Sequence, residues 1–164
     1  MNDSTTDNQP HFHLTHLSFE DDASGISLEV PVQTVGGGYR ASNYLQRVTI
    51  AGHGECIRFG SVGAFGSILL DPVDGRIVES GSGLSEVTLV NSSLDCFTTS
   101  VKALINRFPF YSVDSDPDDW ERAARDIEDS LRRIDSDAYT EGSFWYELRW
   151  SISIGDFATE DLTH

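Results

Sequence analysis

Lysine is almost missing from this chain. Lys102 stands alone beside ten Arg, and these eleven bases face 27 Asp and Glu, for a formal net charge of −16. Such a deficit argues against nucleic-acid or anionic-membrane binding, since both need Lys and Arg to neutralise phosphate. Cysteine is scarce too. Cys56 and Cys96 are too few for a disulfide framework and form no C-x-x-C, so two reduced thiols in apolar surroundings are expected. No apolar run approaches the roughly 20 residues of a membrane helix. The stretch Met1 to Pro10 has neither a basic nor an apolar segment, so it reads as a disordered lead rather than a secretory signal. A cytoplasmic protein is the expectation. Catalytic signatures are absent as well: there is no G-x-S-x-G, no H-E-x-x-H and no Pro-Cys-x-x-Cys of a zinc deaminase. The glycine-rich stretch Gly60 to Gly66 has no Lys and leads into a strand, so turn glycines explain it better than a phosphate loop.

The charge that is present is unevenly placed. Residues 1–39 carry six acids and no Lys or Arg, residues 40–113 balance six acids with six bases, and residues 114–164 carry fifteen acids against five bases. The neutral middle reads as a sheet and the acidic end as helices. An acidic surface would attract a basic partner; it also serves solubility or a salt-adapted host. The chain's 164 residues suit one domain, expected over 11–155, with 156–164 a loose acidic tail.

Residues 11–22 suggest only a short amphipathic piece, with Phe12 and Leu14 apolar. Ile26 to Val30 alternates as a strand that Pro31 ends or confines to an edge. Gly36 to Gly38 is a flexible break. Five short runs follow, Tyr44–Ala51, Glu55–Gly60, Gly66–Asp71, Gly75–Glu79 and Glu86–Val90, separated by Gly, Pro and Asp in the manner of an antiparallel meander. Helices begin after Val90. Asn91 or Ser92 is the expected cap of the first, whose apolar face runs Leu94, Phe97, Val101, Leu104, Ile105 and Phe108 until Pro109 stops it. Asp116 and Pro117 open the second, with Trp120, Ala123, Ala124, Ile127, Leu131 and Ile134 as its stripe. The third starts after Ser143, with Phe144, Trp145, Leu148 and Ile152 inward. Sheet first and helices second, without alternation, means an α+β fold.

Few residues offer chemistry. His11, His13 and His16 have a spacing that could share a zinc, but a chance cluster on an exposed face explains them better. Asp71 and Asp74 could act as an acid–base pair, though turn chemistry accounts for both. His53 sits between two glycines with no base or nucleophile beside it in sequence. The run Asp114-Ser-Asp116-Pro-Asp118-Asp119 lacks the central Gly and final Glu of a calcium loop, so helix capping is preferred. No catalytic residue, metal or cofactor is expected.

The stretches Cys56-Ile-Arg-Phe-Gly60, Gly66-Ser-Ile-Leu-Leu-Asp71, Val73-Asp-Gly75-Arg-Ile-Val78 and Val90-Asn91-Ser92-Ser93-Leu94, then Phe97, then Ile134-Asp135 through Phe144-Trp145, resemble the SUKH superfamily. They resemble in particular its fourth subgroup of bacterial immunity proteins, over about two-thirds of the chain. The resemblance implies a bent antiparallel central sheet of about five or six strands, followed by three C-terminal helices packed on it. It implies a non-enzymatic protein that binds and neutralises a cognate toxin, a nuclease or a deaminase, by occluding its basic active-site surface. Steering would come from Asp114, Asp116, Asp118, Asp119, Asp126 and Asp129, and an anchor from Tyr146 or Trp150, because interface hot spots favour Trp, Tyr and Arg. A regulatory or scaffold module of the same fold without a toxin partner is the alternative. A small hydrolase or ligand-binding protein using Asp71, Asp74 and His53 is a third.

Overall fold

Seven strands precede three helices in the computed structural model, which describes residues 11–21, 25–35, 38–81, 83 and 86–158. The expected lead at 1–10, two glycines of the break at 36–37 and the last six residues of the expected tail lie outside the described residues. β1 (Leu14–Ser18) and β2 (Ser27–Pro31) pair antiparallel as a separate two-stranded sheet. The stretch read as an amphipathic piece is thus a strand. Its apolar residues Leu14, Leu17 and Phe19 break the strict alternation by which a strand is recognised.

β3 (Tyr39–Ile50), β4 (Gly54–Val62), β5 (Gly66–Leu70), β6 (Ile77–Ser80) and β7 (Thr88–Asn91) form the central sheet in simple sequence order. All four ladders are antiparallel, as a meander requires. Three of the four contain a register shift, between Ala41 and Gln46, Arg58 and Gly60, and Ile77 and Val78. Such bulges bend a strand and increase its twist. β3 begins five residues before the expected start. The Tyr39 hydroxyl donates to the Pro31 carbonyl at 2.8 Å and its backbone N–H donates to Thr34 Oγ1 at 2.9 Å, which ties the small sheet to the large one.

α1 (Leu94–Arg107), α2 (Pro117–Ile134) and α3 (Phe144–Ser153) cover one face of the central sheet. Phe59, Ile68, Ile77 and Val90 from the sheet join Phe97, Val101, Leu104, Ile127, Leu131, Trp145 and Ile152 from the helices in one apolar core. Tyr39, Phe59 and Trp145 surround Phe97 with ring centroids 5.0–6.2 Å away. Ile50, Cys56, Leu69 and Val78 alternate to the opposite face and form a second, smaller cluster.

Capping chemistry sets the helix starts. Ser93, one residue later than expected, caps α1 by accepting from the Cys96 N–H at 3.1 Å. Asp116 caps α2 in a reciprocal capping box with Asp119, with Pro117 in the first turn. Ser143 caps α3. A short 3-10 helix (Ser136–Ala138) links α2 to the loop before α3.

Candidate functional site

Asn91 does not cap α1 because it serves another purpose. Fully buried at the end of β7, it donates from Nδ2 to Asp135 Oδ2 at 3.0 Å and accepts at Oδ1 from the Trp145 indole N–H at 2.9 Å. Ser92 adds a backbone N–H to the same carboxylate oxygen at 2.7 Å and its hydroxyl to Oδ1 at 2.8 Å. One side-chain knot therefore joins the last strand, the C-terminal cap of α2 and the first turn of α3. Asn91, Ser92, Asp135 and Trp145 thus bind one another, which makes the knot a structural hub.

The residues expected to meet a partner lie on α2 and α3. Successive residues on a helix are about 100° apart. Residues seven apart therefore share a flank, so Asp119 falls with Asp126, and Glu121 with Glu128. Asp119 and Asp126 line a groove of about 270 Å3 beside Tyr111 and Ser115. Asp118 and Asp129 lie on the ridge, where Arg122, Arg125, Arg132 and Arg133 interleave. Of the six acids named, Asp116 and Asp119 are engaged in the capping box, and Asp119 also pairs with Arg122 at 3.1 Å. Asp114, Asp118, Asp126 and Asp129 are exposed, and their carboxylates face solvent. With six acids and four Arg between residues 117 and 134, α2 itself is only mildly acidic.

The other flank of α2 faces α3 through Arg149. Its guanidinium grips Glu121 with two nitrogens at 3.0 and 2.8 Å, and Glu128 with Nε at 3.0 Å. Hydrogen bonding from Arg149 holds the Glu121 carboxyl below its usual range. Burial pushes Glu128 up, but bonds from Arg132 and Arg149 win and hold it down. Both carboxylates raise Arg149 further above its already high value. This bidentate lock fixes how α3 lies on α2.

Beside the lock is a cavity of about 210 Å3 lined by Glu128, Arg132, Tyr139, Tyr146, Arg149 and Trp150. Trp150 is 56% exposed, and Ile154, four residues on, is 47% exposed. Tyr146 precedes them by one turn, half-buried, its ring 5.8 Å from that of Tyr139. The three form an apolar stripe along the outer side of α3. Tyr139 lies at the floor of the cavity with Arg132 over its ring at 4.6 Å. Its hydroxyl is buried, and burial, followed by the neighbouring Glu128 carboxylate, pushes its pKa up to about 12. Sequence pattern exposes Trp150 by its position off the inward stripe. It does not expose Tyr139 or Arg149, whose roles depend on which helix flank meets which neighbour. Ile154 was legible in principle from its spacing to Trp150.

On the sheet side, turn chemistry holds for both turn aspartates. Asp71 Oδ1 accepts from the Val73 N–H at 3.0 Å, and Asp74 Oδ1 from the Arg76 N–H at 3.0 Å. His53, partnerless in sequence, reaches Asp71 with Nε2 at 2.7 Å from Oδ2. Burial raises the Asp71 carboxyl, but the Val73 N–H and His53 outweigh it and leave the acid below its usual range. Asp74 turns toward Arg76 instead, 3.7 Å away, so the two aspartates do not form a dyad. No helix among the described residues is long and apolar enough to cross a membrane.

Comparison with the curated proteins and with the solved structures gives no match. The family model of the SUKH-4 immunity proteins matches residues 39–150, from the first residue of β3 into α3. That match takes in the whole central sheet, the Asn91–Asp135–Trp145 knot and the Arg149 lock, and by it the chain belongs to the SUKH-4 immunity protein family.

Proposed function

We propose that this protein binds a bacterial toxin domain and neutralises it by covering a basic active-site surface, that of a nuclease or a deaminase, with the outer face of α2 and α3. The observation that carries the reading is the family match over residues 39–150. Two features of the face support its choice. Trp150 and Ile154 present exposed apolar area next to the cavity between α2 and α3, and hot spots form around such aromatic anchors. Asp114, Asp118, Asp126 and Asp129 present exposed carboxylates, and a basic cleft is their electrostatic complement. The interaction needs no catalysis by this chain, since occlusion alone keeps substrate out.

The test is co-expression with the product of the adjacent gene. Survival of the host and a complex that co-purifies are the expected result. Trp150→Ala should weaken that complex by roughly 30-fold or more, the size of a hot-spot truncation of about 2 kcal/mol. Unaltered affinity in Trp150→Ala, with the complex intact, would move the docking face elsewhere. Failure of the pair to associate would favour a scaffold or regulatory role.

A further inference from the structure

Three side chains of different chemistry converge on the sheet face opposite the helices. His53, Cys56 and Asp71 each present a donor atom within 4.8 Å of the other two. Among the described residues they form the only such group of His, Cys, Asp and Glu, and His11, His13 and His16 do not gather into one. The convergence is built by the fold. Ile57 pairs with Leu70, so Cys56 and Asp71 are the next opposed positions on β4 and β5. The β3–β4 turn, with Gly52 and Gly54 both at positive φ, brings His53 over them. Cys56 is fully buried, Asp71 nearly so, and the His53 ring is 30% exposed like a lid.

We propose that His53 Nε2, Cys56 Sγ and Asp71 Oδ2 form a binding site for a thiophilic divalent cation, Zn2+ foremost, with solvent as the fourth ligand. The donor set selects the metal class. One nitrogen, one sulfur and one oxygen suit Zn2+, whereas Ca2+ and Mg2+ take oxygen ligands alone. Tetrahedral bonds of about 2.0–2.3 Å place ligand atoms roughly 3.3–3.7 Å apart. The 2.7 Å contact between His53 and Asp71 must open by about 0.6–0.7 Å to bracket an ion. His53 sits in a turn and can move that far. Asp71 is already oriented, because the Val73 N–H holds Oδ1 and leaves Oδ2 turned to the site. This is the outer-shell support that metal ligands need.

The local field favours a cation. Asp74 and Glu55 lie near enough to act on the Cys56 sulfur alongside Asp71, so negative charge surrounds the site. Coordination takes the thiolate, so the Cys56 thiol releases its proton to solvent as the ion binds. His53 would coordinate through the Nε2 lone pair, with the ring proton held on Nδ1.

The site lies on the other side of the sheet from α2 and α3, and its test is independent of the docking reading. Co2+ titrated into the full chain should give a thiolate-to-cobalt charge-transfer band that saturates near one equivalent and is displaced by Zn2+. Cys96→Ser should leave the band intact. His53→Ala, with circular dichroism to verify the fold, should weaken Co2+ binding by at least the roughly 10-fold that loss of even an outer-shell partner costs. Cys56→Ser should abolish the band, with circular dichroism to verify the fold. No charge-transfer band, a band lost with Cys96→Ser, or one undiminished in His53→Ala overturns the assignment. A cobalt spectrum without thiolate character does the same and points to His11, His13 and His16.

Discussion

At the residue scale, one carboxylate does the most to hold sheet and helices together. Asp135 is buried at 9% exposure and accepts three hydrogen bonds, from Asn91 Nδ2 and from the Ser92 N–H and hydroxyl. Asp135→Ala strands at least two donors, each costing about 1–3 kcal/mol when left unsatisfied. A loss of roughly 2–4 kcal/mol is expected, read as a lower urea midpoint at unchanged slope. Asp135→Asn, which keeps one acceptor oxygen, should cost less. The residues of this knot were legible as a set, in the family pattern that includes Asn91, Ser92, Asp135 and Trp145. Their partnership was not, since Asn91 and Ser92 also read as caps. Local spacing favours a cap when a polar residue precedes a helix, and only the arrival of Asp135 from 44 residues away decides otherwise.

At the element scale, the docking of α3 on α2 rests on Arg149 between Glu121 and Glu128. Both carboxyls titrate below the ordinary glutamate value of 4.5 in the folded protein, so in that range the native state binds fewer protons than the unfolded chain. Their contribution to stability is complete above pH 4.5 and disappears as pH falls through the lowered folded values. Denaturant midpoints of the natural protein and of Arg149→Met, followed downward from neutral pH, should converge. Parallel curves would show that the lock adds nothing. The strands β4 to β7 and all three helices were legible, because short apolar runs between turn residues and 3.6-residue stripes are local properties. β1 and the start of β3 were not. Each is completed by partners across the chain, β1 by β2 and Tyr39 by Pro31 and Thr34, and their own alternation is irregular.

At the scale of the whole molecule, electrostatics acts over distance while anchors act on contact. If the partner surface is basic, association should be fast at low salt and slow steeply as salt rises, because the Debye length shrinks to about 8 Å at physiological ionic strength. Stopped-flow association with the toxin domain across a salt series measures this. Asp118→Asn/Asp129→Asn should slow association and flatten its salt dependence, leaving dissociation nearly unchanged. Trp150→Ala should act the opposite way, on dissociation. The double aspartate variant should alter folding stability by no more than about 0.5 kcal/mol, because both side chains are exposed.

The sequence by itself determined the α+β class, the order of the meander and helices, and the turns at Asp71 and Asp74. Each of these follows from spacing and turn chemistry within a few residues. Tertiary structure alone decided the rest. It gave His53 a partner 18 residues away, set Cys56 opposite Asp71, and spent two of the six named aspartates on a capping box. It also placed Arg149 between two glutamates of another helix and buried the Tyr139 hydroxyl near one of them. The physical reason is the same throughout: a side chain's type is local, but its partner is chosen by strand register and by which flank of a helix meets its neighbour.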